Sequence, residues 1–126
     1  MEDFKHPTLG NGKVCYIEIP ALDVRYSAAF YSKTFGWNIR EDNAGNISFD
    51  DAVGEVSGMW VTGRKIASEP GLLISIMVNN LETAVNSILA NGGKIVQPPG
   101  LDTAEKTALF SDPAGNIFCL YEEQTF

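Results

Sequence analysis

The sequence predicts an α+β fold built from two βαβββ modules. Three observations carry that prediction. Sliding the chain on itself by 57 residues puts Ile17 on Ile74, Ile19 on Ile76, Asp23 on Asn80, Val24 on Leu81, Ala28 on Val85, Tyr31 on Ile88 and Gly36 on Gly93. Helix caps fall on caps and core positions on core positions, the mark of an internal repeat. Each copy reads strand, helix, strand, strand, strand. The closing stretch "LFSDPAGNIFCLYE", residues 109–122, is a strand, a tight turn and a second strand. In that turn Asp112 opens, Pro113 fixes φ, and Gly115 stands where a positive φ is needed.

Taken in order, residues 1–12 are a polar arm containing Pro7, Gly10 and Gly12, and the rest of the fold, 13–123, is one domain. The first module is 13–62. "VCYIEI" (14–19) alternates as a strand does. Asp23 is an N-cap for a helix through "VRYSAAFYSKTF", whose buried stripe is Ala28, Tyr31 and Phe35, and Gly36 ends it. "WNIRE" is a strand, "DNAG" a hairpin turn, and "NISFD" the return. "EVSGMWVT" is the fourth strand, with Gly58 marking a bulge or a close backbone approach.

Residues 63–71, "GRKIASEPG", have no periodicity and form the linker. The second module is 72–123. "LLISIMV" is its first strand. Asn80 caps a helix through "LETAVNSILAN", with Val85, Ile88 and Leu89 inward, ended by Gly92 and Gly93. "KIVQ", "EKTALFS" and "NIFCLYE" are the last three strands. One βαβββ unit leaves a sheet face bare, and two units can cover each other's faces.

Composition narrows the partners. The 126 residues suffice for one domain, and a net charge of −7 disfavours nucleic acid and anionic membrane surfaces. No apolar run approaches bilayer length, and the start has no apolar signal core. Cys15 and Cys119 read as reduced thiols, which with the other features predicts a cytoplasmic protein. One histidine, His6, lies in the arm, so no Ser-His-Asp set can be built from the strands. "GNG" at 10–12 follows no strand and is no dinucleotide signal.

"YIEIPALDVRYSAAFYSKTFGWNI" and "LFSDPAGNIFCLYE", in this order and with the repeat, resemble the vicinal oxygen chelate superfamily of glyoxalases, bleomycin resistance proteins and extradiol dioxygenases. The resemblance implies mixed sheets curled round a cavity, and a homodimer. In metal-dependent members, His or Glu ligands stand on the first and last strand of each module, where a divalent ion holds neighbouring substrate oxygens. The matching positions here are Tyr16, Met59 (or Trp60, as the register round Gly58 is open), Leu73 and Cys119. Leucine has no lone pair, tyrosine ligates only as phenolate, and a cysteine among apolar neighbours is commonly inert. No metal and no cofactor is therefore expected.

Alternation places Tyr16 and Glu18 on the cavity face of the first strand, with Ile17 and Ile19 on the other. Glu18 is the candidate catalytic base, or else a carboxylate bonded to Tyr16, to a backbone amide or to its repeat partner Ser75. Tyr16, Trp60, Cys119 and Tyr121 would line a largely apolar pocket suited to a small organic molecule, for instance an aromatic one, and equally suited to ordinary core filling. The expected function is small-molecule binding without the family metal. The alternative is a lyase, isomerase or dioxygenase-type enzyme using Glu18.

Overall fold

The computed structural model describes residues 6–100 and 106–123. The element order is β1 (Tyr16–Pro20), α1 (Val24–Phe35), β2 (Asn38–Glu41), β3 (Ile47–Asp50), β4 (Ser57–Val61), β5 (Ser75–Val78), α2 (Leu81–Ala90), β6 (Lys94–Gln97), β7 (Thr107–Ser111) and β8 (Ile117–Glu122). The two modules form two four-stranded sheets, ordered β1-β4-β3-β2 and β5-β8-β7-β6. In each, one parallel pair (β1 with β4, β5 with β8) joins an otherwise antiparallel sheet. The two sheets therefore repeat one topology, as the repeat in the sequence requires.

The helices start and stop where the chemistry dictates. Asp23 accepts from the Tyr26 amide and Asn80 from the Thr83 amide, each satisfying an amide that the first turn leaves free. Gly36 ends α1 in the left-handed conformation, φ 74°. On α2 the inward stripe is Leu81, Ala84 and Ile88, with Val85 packed at its edge. Leu89 is exposed instead of inward, because it lies one step round the helix from Ile88 and clears the sheet. "EKTALFS" begins on a residue outside those described; its strand runs from Thr107. "LLISIMV" is regular only over its last four residues.

Gly58 is a close approach and not a bulge. Its pairings with Ile17 and Phe49 continue the register without a shift. A Cβ there would fall on the Ile17 carbonyl oxygen and the Phe49 ring. The irregularity lies elsewhere, between Ile95 and Gln97 in β6.

One core serves both modules. Trp37 stacks between Tyr31 and Phe49 with ring centroids 4.5 Å from each, and Phe49 meets Trp60 at 4.8 Å. From α1, Tyr31 reaches Phe118 of the second sheet at 5.9 Å, and Phe30 and Phe35 reach Phe110 at 6.1 and 5.6 Å. Each such ring removed from water contributes about 1.5–3 kcal/mol. The modules thus meet through their helix-side faces. The expectation that they cover each other's bare faces is not met within one chain: the sheets are not closed, and Tyr16 on the first and Met77 on the second remain about half exposed on the opposite faces.

A polar knot fastens this core. Asp112 Oδ1 accepts the amides of Ala114, Gly115 and Asn116, which shapes the turn, with Gly115 at φ 105°. Asp112 Oδ2 accepts the Tyr31 hydroxyl at 2.7 Å and Asn116 Nδ2 at 2.9 Å. Burial, then the nearby Asp112 charge, holds the Tyr31 phenol well above its usual range. Asn116 also donates to the Pro20 carbonyl at 2.7 Å and accepts from the Ala67 amide at 2.9 Å. The turn, β1, the linker and α1 are tied at one point.

Candidate functional site

The open face of the first sheet follows from pairing. Gly58 and Trp60 face the core, so Ser57, Met59 and Val61 face away. Register puts Tyr16 beside Ser57, Glu18 beside Met59, Ser48 across from Met59, Asp50 across from Ser57, and Arg40 across from Ser48. Tyr16, Glu18, Met59, Ser48, Asp50 and Arg40 therefore share one face. Trp60 does not join them. It is 2% exposed against Tyr31 and Phe49, which settles the register left open around Gly58 in favour of Met59.

Asp50 is the centre of the polar part of this face. Its carboxylate accepts Ser57 Oγ at 2.7 Å, Arg40 Nε and Nη2 at 3.0 Å each, and Asn38 Nδ2 at 3.3 Å. The Ser57 hydroxyl first, and Arg40 next, hold the Asp50 carboxyl below its usual range. A depressed carboxylate stabilises the fold above its unfolded pKa, and this contribution is lost as pH falls through the folded value. Replacing Ser57 by Ala should raise the Asp50 pKa toward the ordinary carboxylate range. Carbon-detected carboxyl titration by NMR checks this; an unmoved Asp50 would refute the assignment of Ser57 as the main cause.

Glu18 lies on the open side of this face. It is half-exposed, and it meets Arg64 of the linker, Nη1 to Oε1, at 2.6 Å. Its partner is neither Tyr16, nor a backbone amide, nor Ser75. An open cleft of about 870 Å³ lies on this face, lined by Tyr16, Arg40, Ser48 and Met59 and bounded by Asp42 and Asn46.

The second sheet presents its own open face. Ser75 pairs with Cys119 and Met77 with Tyr121, and Leu109 lies across from Cys119. Phe118 and Leu120 point into the core, while Cys119 lies on the open side yet is only 8% exposed, covered by its neighbours. Leu73, just before β5, is half-exposed. Among the eight candidate residues, three (Tyr16, Glu18, Met59) gather on the first face, three (Ser75, Cys119, Tyr121) gather on the second with Leu73 next to them, and Trp60 is in the core.

The positions matching the family's metal ligands thus fall on two separate faces of one chain, and their atoms are a phenol, a thioether, an alkyl group and a thiol. They do not fit a divalent ion of the N/O type. Among the described residues no three His, Cys, Asp or Glu side chains cluster as a metal would require. His6 engages the β3–β4 connection: its Nδ1 lies 2.6 Å from Glu55 Oε2, and Thr8 donates twice to the same carboxylate. Lys13 Nζ bonds the Glu55 carbonyl, so the arm docks on the β3–β4 connection.

Comparison with known proteins agrees with this architecture. The model of the glyoxalase-like domain family matches residues 16–121, from the first residue of β1 into β8. The chain belongs to that family. A glyoxylase-like domain-containing protein of Didymella fabae is 33% identical over 91 residues, covering 67% of this chain and 71% of its own. Two solved structures share the fold. A hypothetical protein from S. aureus has a TM-score of 0.72 at 20% identity, covering 89% of this chain and 94% of its own. A member of the glyoxalase/bleomycin resistance protein/dioxygenase superfamily from Sphaerobacter thermophilus has a TM-score of 0.69 at 24% identity, covering 89% and 98%. No helix among the described residues of this glyoxalase-like chain is long and apolar enough to cross a membrane.

Arg40, Asp50, Ser57, Ser48 and Arg64 are absent from the sequence-based site. A signal for three of them existed: a hairpin turning at 42–45 forces Arg40 opposite Ser48 and Asn38 opposite Asp50.

Proposed function

We propose that this glyoxalase-like protein binds a small organic molecule on the open face of its first sheet, without the divalent metal of its metal-dependent relatives. The observation that carries the reading is the identity of the four ligand positions, Tyr16, Met59, Leu73 and Cys119, of which Tyr16 and Met59 line a cleft of ligand size. A homodimer belongs to the same reading. Each sheet leaves apolar side chains uncovered, Tyr16 on one and Leu73, Met77 and Tyr121 on the other, and a second copy facing its sheets toward these would bury them. The two thiols, unpaired in the fold, suit a reducing compartment such as the cytoplasm. The enzymatic alternative is less favoured, because Glu18 is exposed and engaged by Arg64, not held as a desolvated base.

Elemental analysis of the purified protein, light scattering, and a thermal-shift screen with aromatic compounds test the reading together. The expected results are no stoichiometric divalent ion, a mass twice 13.7 kDa, and ligand-dependent stabilisation. A stoichiometric ion lost in Tyr16→Phe or Cys119→Ser would overturn it.

A further inference from the structure

We propose that the cleft on the first sheet selects organic acids, and that Arg40 is the residue which receives the ligand's carboxylate. The inference rests on the binding reading above and deepens it. A guanidinium carries five N–H donors in a fixed fork. Asp50 takes two of them, one from Nε and one from Nη2, at 3.0 Å each. This side-on pairing leaves both Nη1 hydrogens and the second Nη2 hydrogen with no partner among the described residues, and one hydrogen from each of these nitrogens forms the end-on edge of the fork. That edge has the spacing for a second, end-on carboxylate. The Tyr16 and Ser48 hydroxyls lining the same cleft also have no partner among the described residues.

The carboxylate acceptors are, by contrast, mostly engaged. Both Asp50 oxygens receive two donors each. At the rim, Asp42 receives the amides of Ala44 and Asn46 and the Asn46 side chain. Glu41 gives both oxygens to Arg25 of α1, at 3.3 and 2.9 Å. Glu18, outside the lining, is held by Arg64. Glu41 and Asp42 line the cleft and Asp50 stands behind Arg40; Asp50 has all four acceptor sites filled, Asp42 three and Glu41 two, while the three free N–H groups of Arg40 have no partner among the described residues. A ligand that brings acceptors matches this surplus, and one that brings donors finds little to bond. Tyr16 and Met59 supply the apolar wall for the rest of the molecule.

Asp50 also makes Arg40 a better receptor. Ser57 and Asn38 fix the Asp50 carboxylate, and Asp50 in turn fixes the guanidinium plane, so less side-chain freedom is lost on binding. Asp50 is in this sense a positioning residue.

The test compares 2-naphthoate with 2-naphthamide, nearly the same shape but without the charge, by calorimetry on the full chain and on Arg40→Met, Arg40→Lys and Arg64→Met. The wild type should bind the acid at least tenfold more tightly than the amide. Arg40→Met should abolish the preference while leaving amide binding in place. Arg40→Lys, which keeps the charge and loses the fork, should retain only part of it. Arg64→Met, which removes the other cation on this face, should keep it. Equal binding of acid and amide by the wild type would sink this inference and leave the cleft a binding site. A preference that survives in Arg40→Met would sink it as well. Failure of both compounds to bind at millimolar concentration would overturn both this inference and the binding reading.

Discussion

Gly58→Ala is expected to destabilise the protein by about 3 kcal/mol or more, lowering the melting temperature by roughly 10 °C. The reason is geometric. The added Cβ would clash with the Ile17 carbonyl oxygen of the adjoining parallel strand and lie 2.5 and 2.7 Å from two carbons of the Phe49 ring. Neither neighbour can yield cheaply. Ile17 is held in the β1–β4 ladder, and Phe49 is 1% exposed between Trp37 and Trp60. The effect is a large part of a typical domain stability of about 5–15 kcal/mol. It should also distort the candidate site, since Met59 and Ser57 flank Gly58 on the open face. Gly71→Ala is the control: nothing lies within 4 Å of its Cβ and its φ is not left-handed, so thermal denaturation should find it close to wild type. Equal melting temperatures for the two variants would refute the close-approach account.

Gly58 also marks how far the sequence reaches. A glycine inside a strand signals either a bulge or a close approach, and only the paired register decides between them. The same register decides Met59 over Trp60. Local patterns carried most of the fold: the caps Asp23 and Asn80, the stripe through Tyr31, and the Asp112 turn all depend on residues a few positions apart. Alternation along β1 likewise placed Tyr16 and Glu18 correctly on one face. Contacts between distant segments were not legible. Glu18 finds Arg64 from 46 positions away, a pairing no periodicity encodes. The arm has no helix or strand from His6 to Gly12, as its polar sequence suggests, and its docking on Glu55 is again a distant contact. Most of all, the arrangement of the modules depends on which faces pack. Two βαβββ units can share either their bare faces or their helix-side faces, and the repeat is the same in both cases. The rings of Phe30, Tyr31 and Phe35 against Phe110 and Phe118 decide for the second.

Asn116→Ala is expected to cost about 3–5 kcal/mol, read as a shift in the urea midpoint at unchanged slope. The side chain makes three bonds at 1% exposure: it donates to Pro20 O and Asp112 Oδ2 and accepts from Ala67 N. Truncation strips a buried carbonyl and a part-buried amide of these partners and leaves Asp112 Oδ2 short of a donor, and each buried group left unsatisfied costs about 1–3 kcal/mol. The loss also crosses the module boundary, because Pro20 belongs to the first module, Ala67 to the linker and Asp112 to the second. Asn116→Asp separates hydrogen-bond pattern from volume. The aspartate keeps an oxygen for Ala67, yet it can donate to neither Pro20 nor Asp112 while ionised, and it sets a second carboxylate against the first. At neutral pH it should therefore be at least as unstable as Asn116→Ala despite its matching shape. Its folded-state pKa would be raised by burial and by Asp112. A group raised on folding stabilises below its unfolded pKa and loses that contribution as pH rises through the folded value. The gap between Asn116→Asp and wild type should accordingly narrow as the pH is lowered into the carboxylate range, when the new acid protonates and can donate once more. An aspartate variant as stable as wild type at neutral pH would show that Asn116 is held by its shape and not by the direction of its hydrogen bonds.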